Sequence, residues 1–168
     1  MGSIPSSLAL AEEEVEFENF FRAEALSLGR ALYLITGDRG EAEDLVQEAM
    51  ARTFERWDRI QRMDSPAGYV YRTALNLHRR RVRRSRLVPF LSPPSAPDPA
   101  EEAGRRSDVH RALQSLSHQQ REALVLVEWL GFDSEEAASI LGIRPSSVRT
   151  RLHRGRAVLR AQLGGIDE

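Results

Sequence analysis

Residues 144–160, RPSSVRTRLHRGRAVLR, carry the strongest chemical signal in this 168-residue chain. They include six arginines and no acidic residue. A guanidinium group can donate two parallel hydrogen bonds to a phosphate or to the edge of a guanine, so these residues are suited to bind DNA. The alternative is a solvated arginine face that binds nothing.

Helical spacing divides this segment into two sides. Apolar residues that recur every three or four positions form a stripe that should face a core: Val148, Leu152, Gly155 and Leu159. The other side should face DNA, with base edges near the start of the helix and phosphates further along. The predicted base contacts are Arg149, Thr150, His153 and Arg154, and the predicted phosphate contacts are Arg156 and Arg160.

A second basic helix is predicted over residues 65–86, SPAGYVYRTALNLHRRRVRRSR. Its predicted buried stripe is Val70, Thr73, Ala74 and Leu77. Rings stack on unpaired bases, amides bond base edges and guanidinium groups neutralise phosphates, so the other faces suit single-stranded DNA. The candidate contacts are Tyr69, Arg72, Asn76, Arg79, Arg80, Arg83 and Arg86. The alternative is a polybasic helix end that contacts phosphates without selectivity.

A third candidate surface lies on a helix predicted from Asp38 to Trp57. Its core stripe is Ala42, Leu45, Val46, Ala49, Met50 and Trp57. The opposite, largely acidic face would repel DNA, which favours a protein partner over DNA; it comprises Asp44, Gln47, Glu48, Ala51, Arg52 and Glu55. A solvated face is the alternative.

Catalytic and metal-binding patterns are missing from the sequence. The chain has no cysteine, and its four histidines are scattered: His78, His110, His118 and His153. There is no glycine-rich phosphate loop and no paired metal-ligand spacing. We therefore predict a protein that is not an enzyme, with no catalytic residue, no metal and no cofactor. Because no apolar run or secretion signal is present, we also expect no membrane insertion and a cytoplasmic location.

The net charge of −1 conceals alternating blocks of opposite charge. Residues 1–64 carry seven arginines and fourteen acids, whereas residues 65–97 carry seven arginines and no acid. Residues 98–143 are acidic again, and residues 144–168 are basic. Two separate basic blocks indicate two separate contacts with nucleic acid.

All predicted secondary structure is helical. Further helices are expected over about 15–35, from Pro66, over 107–116 and from 118 to about 131. After Asp133 or Ser134 a short helix follows, which Gly142 can end, and Pro145 can start the next. Short helix, tight turn and second helix form a helix-turn-helix pattern.

The prolines predict where the chain divides, because five of the eight fall in residues 87–104. Proline lacks the amide hydrogen that helices and central strands need, so this part is expected to be an extended linker. The predicted organisation is all-α, with two small domains. Its parts are a disordered N-terminus (1–14), a helical domain (15–86), a Pro-rich linker (87–106), a helix-turn-helix domain (107–163) and a tail (164–168).

Three segments together resemble the extracytoplasmic-function group of bacterial RNA polymerase sigma factors, over about 15–86 and 107–161. TGDRGEAEDLVQEAMARTFERW resembles the group's polymerase-binding and promoter-opening helix. SPAGYVYRTALNLHRRRVRR resembles its −10 reading helix. LVEWLGFDSEEAASILGIRPSSVRTRLHRGRAVLR is similar to its −35 reading domain.

The resemblance implies a sigma factor that binds core RNA polymerase and recognises −10 and −35 promoter elements. It implies that Asp44, Gln47 and Glu48 contact the clamp helices of the largest subunit, and that the second domain contacts the flap of the second-largest. It also implies that the −35 contacts lie in the major groove, and that Asn76 and its neighbouring arginines meet the −10 strand. Residues 62–65 would receive a flipped base, and an anti-sigma factor would cover the polymerase-binding faces.

The sequence departs from the group's pattern at several positions. Tyr69 stands where the group usually has Trp, and Arg80 replaces a frequent Asp. Ser146 and Ser147 replace a common Gly-Thr. These positions bear on promoter preference, so the sequence leaves the preferred promoter open.

Two other functions are compatible with parts of the sequence. One is a stand-alone helix-turn-helix regulator that dimerises on a palindrome, which leaves the acidic face and the first basic helix unexplained. The other is an interaction protein such as a sigma-like decoy, which the two arginine faces argue against. The apolar segment LVPFL, residues 87–91, is expected either to dock on a partner or to pack on its own domain.

Overall fold

The computed structural model describes residues 7–87 and 105–164, and every regular element in those two ranges is helical. The predicted all-α fold is therefore confirmed. The helices are α1 (Ser7–Thr36), α2 (Arg39–Phe54), α3 (Trp57–Ile60), α4 (Pro66–Leu87), α5 (Arg105–Gln114), α6 (His118–Leu124), α7 (Ser134–Leu141) and α8 (Pro145–Leu163). A π-helical turn, Val125–Trp129, continues α6.

The first half, α1 to α4, differs from the predicted helices at two places. Helix α1 begins at Ser7, within the N-terminal segment 1–14 that the sequence predicts to be disordered; Leu, Ala and Glu in this segment are strong helix formers. Helix α2 ends at Phe54 rather than continuing to Trp57. The break lets Trp57 start α3 and pack its ring 5.0 Å from that of Phe20.

Helix boundaries in the second half follow the predicted local signals. The Ser117 hydroxyl accepts a hydrogen bond from the Gln120 backbone N–H, and the Gln120 side-chain oxygen accepts one from the Ser117 backbone N–H. Together these bonds form a capping box. Asp133 and Glu136 form a second capping box at α7. Gly142 ends α7 with a φ of 67°, which an L side chain rarely adopts, and Pro145 opens α8. The helix-turn-helix is confirmed.

The predicted linker is only partly described. Helix α4 ends at Leu87 and α5 begins at Arg105, each within the predicted linker 87–106. Residues 88–104, with most of LVPFL, lie outside the described residues, as do residues 1–6 and 165–168. No helix in the described ranges is long and apolar enough to cross a membrane.

The two helical halves share one apolar core. Its buried side chains include Leu28 and Val70 from the first half and Leu126 and Val148 from the second, each with no exposed surface. Helix α1 contacts α5 and α6, and α4 contacts α7. We call the boundary between the halves, where α1 and α4 meet α5, α6 and α7, the seam.

A buried arginine holds the seam together at the end of α1. Arg121 is 6% exposed, and its guanidinium donates to the carbonyl oxygens of Ile35 (2.6 Å), Leu113 (2.8 Å), Leu116 (3.1 Å) and Gln114 (3.2 Å). Burial lowers the pKa of Arg121, and the neighbouring Glu122 carboxylate opposes that shift. The last carbonyls of a helix have no partner within it and carry partial negative charge, so this cation joins the ends of α1 and α5.

Arg121→Leu should lower the free energy of unfolding by about 3 kcal/mol, because it strands buried carbonyls and removes their cation. Urea unfolding followed by circular dichroism measures the change. Arg160→Leu, on the exposed side of α8, is the matched control and should change stability by less than about 0.5 kcal/mol. Equal effects of the two substitutions would contradict the assigned role.

Candidate nucleic-acid interface

Helix α8 has the two sides that the sequence predicts. Val148 and Leu152 are buried, Leu159 is half-buried, and Gly155 lies so close to α6 that a Cβ there would be 2.7 Å from Leu124. The residues predicted to contact DNA are all exposed on the opposite side: Arg149, Thr150, His153, Arg154 and Arg156. The structure thus leaves this face open to a DNA groove.

Arg156 differs from the other exposed arginines of α8. Its Nε donates to Glu128 Oε1 at 2.9 Å, and its Nη2 contacts the same oxygen. Glu128 lies in the π-helical turn. The ion pair fixes Arg156 beside the helix, whereas Arg149 and Arg154 have no protein partner among the described residues.

Helix α4 is buried on two sides, although the sequence predicts one. Val70, Ala74 and Leu77 are buried as expected. Tyr71 and His78 are also buried, because they meet the second half: the Tyr71 ring lies 5.5 Å from Phe132, and the His78 ring 5.2 Å from His118. Tyr71 and His78 are seven residues apart, and Leu75 lies between them on the same side of the helix. This helical spacing could have indicated the second buried stripe in the sequence.

The predicted −10 residues on α4 separate into two groups. Arg72, Asn76, Arg80 and Arg83 are exposed, and Tyr69 is half-buried. Arg79 instead turns to the second half, where its Nε and Nη2 donate to the two carboxylate oxygens of Glu122 at 3.1 and 2.7 Å. The Glu122 side chain is 3% exposed. A two-point bond to a buried carboxylate occupies Arg79 in this form.

A polar groove of about 530 Å³ separates α4 from the end of α2. The α4 wall carries Tyr69, Thr73, Asn76, Leu77 and Arg80, and the other wall carries Arg52, Glu55 and Arg56. Arg56 Nη1 donates to the Tyr69 hydroxyl at 3.5 Å across the groove. Arg52 and Glu55, which the sequence predicts on the acidic face of α2, line this groove instead.

The predicted acidic face remains on α2 as a smaller surface. Asp44 and Gln47 are exposed, and Glu48 is half-buried. The Glu48 carboxylate accepts from Arg52 at 2.8 Å and from Arg81 of α4 at 3.1 Å. Glu48 thereby joins the acidic face to the arginines around the groove. Within the described ranges no cluster of histidines and acids could hold a metal ion.

Two histidines face each other across the seam. His78 Nδ1 lies 2.9 Å from Glu41 Oε1, and the buried His78 Nε2 has no partner. Burial lowers the pKa of His118, and the nearby His78, Arg121 and Arg86 lower it further, while Glu122 acts in the opposite direction. His118 therefore favours its neutral form while the halves are packed.

Comparison with known proteins accounts for both halves. Residues 20–88 match the model of sigma-70 region 2, and residues 106–159 match the model of sigma-70 region 4. An RNA polymerase sigma-E factor of Streptomyces coelicolor is 33% identical over 159 residues, covering 92% of this chain and 90% of that protein. The chain belongs to the extracytoplasmic-function group of sigma factors. This sigma factor directs promoter-specific transcription initiation.

Two further relatives agree with this assignment. The ECF RNA polymerase sigma factor SigE of Mycolicibacterium smegmatis is 32% identical over 158 residues, covering 88% of this sigma factor and 61% of that protein. The sigma factor RpoE of Bartonella quintana, solved in complex with the anti-sigma factor NepR, has a TM-score of 0.75 at 25% identity. The match covers 89% of this chain and 97% of that one.

The stability of the packed form should fall as the solution is acidified. The packed form binds fewer protons at His118 than a separated form, in which the pKa returns to about 6.5. Packing is therefore weakened as the pH falls through that value. Urea unfolding at about pH 7.5 and about pH 5.5 should show a smaller pH dependence for His118→Gln than for the wild type.

His153→Gln is the matched control, because His153 is exposed on α8 away from the seam. It should retain the wild-type dependence of unfolding on pH. If His118→Gln and His153→Gln both lose stability on acidification to the same extent as the wild type, protonation of His118 does not weaken the packing at the seam.

Proposed function

We propose that this sigma factor holds a promoter at two points and binds core polymerase between them. Helix α8 reads the −35 element in the major groove through Arg149, Thr150, His153 and Arg154, with Arg156 near phosphate. The groove between α2 and α4 takes the single-stranded −10 element. The observation that carries this proposal is the pair of exposed arginine surfaces, one on each region that matches a sigma-70 model.

The polymerase contacts follow from the remaining charged surface. Asp44 and Gln47 are exposed on α2 and lie off the arginine groove, which suits a basic partner. We assign them, with Glu48, to the clamp helices of the largest polymerase subunit, and the second half to the flap of the second-largest. The bond-forming chemistry belongs to the polymerase, so we assign the chain no catalytic residue and no cofactor. Its partners place it in the cytoplasm, at the nucleoid.

The packed form cannot make both promoter contacts together. Elements named −10 and −35 lie about 25 base pairs apart, or about 85 Å at 3.4 Å per pair. A compact chain of this length has a radius of gyration of about 15 Å. The halves therefore separate when the promoter is bound, which also releases Arg79 from Glu122.

The packed form offers a target for an inhibitor. The Bartonella quintana relative was solved with an anti-sigma factor bound. An anti-sigma protein that covered the acidic face of α2 and kept the seam closed would prevent both polymerase binding and promoter binding. A stand-alone regulator is not favoured, because it leaves the region 2 match over 20–88 without a role.

Transcription in vitro with purified core polymerase tests the function. The wild type should support initiation from a two-element promoter, and initiation should require core enzyme and both elements. Tight binding of the free protein to duplex DNA, with no initiation in the presence of core enzyme, would support the stand-alone regulator instead.

Arg149→Ala and Arg154→Ala should each relax preference at specific −35 positions in that assay. Loss of a two-point bond to guanine costs about 1–3 kcal/mol at the contacted pair and little elsewhere. Arg156→Ala is the control and should weaken initiation to a similar degree on all −35 sequences. If Arg149→Ala and Arg154→Ala weaken initiation equally on all −35 sequences, Arg149 and Arg154 contact phosphate and not bases.

A further inference from the structure

The groove between α2 and α4 contains a carboxylate among arginines. Of the described residues that line it, Glu55 alone is acidic, whereas Arg52, Arg56 and Arg80 are cationic. The groove therefore has the charge that a nucleic-acid strand requires, together with one group that a phosphate would avoid.

Glu55 has no partner in the described structure. Its carboxylate accepts no hydrogen bond and forms no ion pair, although Arg52 and Arg56 line the same groove. Arg52 instead donates to Glu48 at 2.8 Å, and Arg56 donates to the Tyr69 hydroxyl at 3.5 Å. Arginine partners are thus present, and Glu55 remains available to a ligand.

The position of Glu55 does not favour stability. It is the C-cap residue of α2, where the helix carries partial negative charge. A carboxylate is unfavourable there, and this one has no compensating cation bound to it. Its presence is therefore better explained by what enters the groove than by the fold.

Chemistry limits what Glu55 can meet on a strand in this groove. A phosphate would be repelled, so the carboxylate must face a base and accept from it. On an exposed Watson–Crick edge, guanine presents two adjacent N–H donors to the two carboxylate oxygens. Adenine and cytosine present one donor beside an acceptor, and thymine presents one donor between two carbonyl groups.

We propose that Glu55 is a specificity-determining residue that reads an amino-bearing base of the −10 strand, guanine best, and rejects thymine. This inference rests on the proposed function, because it takes the groove to hold the −10 strand. It adds a reader on the α2 wall, opposite Tyr69 and Asn76 on α4.

The test is initiation in vitro from promoters that carry each of the four bases at every −10 position. The wild type should favour guanine over thymine about tenfold or more at one position. Glu55→Ala should remove that preference. Glu55→Gln should move it toward adenine and cytosine, because each presents a donor beside an acceptor and an amide can bond both. If both variants keep the wild-type base preference at every −10 position, the proposal is overturned.

Two control variants separate this proposal from the function of the groove. Arg80→Ala should weaken initiation on all templates alike, and Asp58→Asn, an exposed acid on α3 outside the groove, should change nothing. If the wild type initiates and Glu55→Ala changes initiation by the same factor on all templates, Glu55 reads no base and the proposed function stands. If the wild type does not initiate with core polymerase, the proposed function fails.

Neither Glu55 variant should lose stability, because the side chain has no partner and lies at a helix C-terminus. Urea unfolding of Glu55→Ala should give a free energy equal to or above that of the wild type. A clear loss of stability would show that Glu55 is structural and would overturn the proposal.

Discussion

The packing of the two halves depends on one buried cation, the guanidinium of Arg121. It bonds the carbonyl oxygen of Ile35 at the end of α1 and the carbonyls at the end of α5, which belong to different halves of the chain. The Arg79–Glu122 pair and the facing histidines lie along the same seam. Because this interface is built partly from charged groups, those groups can exchange their bonds across the seam for bonds to solvent or to a ligand.

Helix α4 connects this seam to the proposed DNA site. One of its faces packs in the first half, a second meets the second half, and a third forms a wall of the groove. Arg79 faces the seam while Asn76 and Arg80 line the groove, only one turn or less away. Glu48 extends the connection to the acidic face, since it bonds both Arg52 of α2 and Arg81 of α4. The proposed polymerase and promoter contacts are therefore physically adjacent.

Local signals made much of the fold predictable, and tertiary contacts limited the rest. Ser117, Asp133, Gly142 and Pro145 mark helix ends through bonds or dihedral angles that involve only their neighbours, so they could be recognised in the sequence. The stripe on α8 followed from period alone. By contrast, the second buried side of α4, the turn of Arg79 to Glu122 and the groove wall at Glu55 depend on which helices meet. Periodicity reports that a face is buried or polar, and it does not identify the partner.

The distance between the halves should be short in the free chain, which is packed, and long in the promoter-bound chain, which is open. Because the chain lacks cysteine, Leu26→Cys on α1 and Gln162→Cys on α8, both exposed, accept a pair of dyes for energy transfer. We expect high transfer in the free protein and much lower transfer in the complex with core polymerase and promoter. Equal transfer in the free protein and in an initiating complex would contradict this expectation.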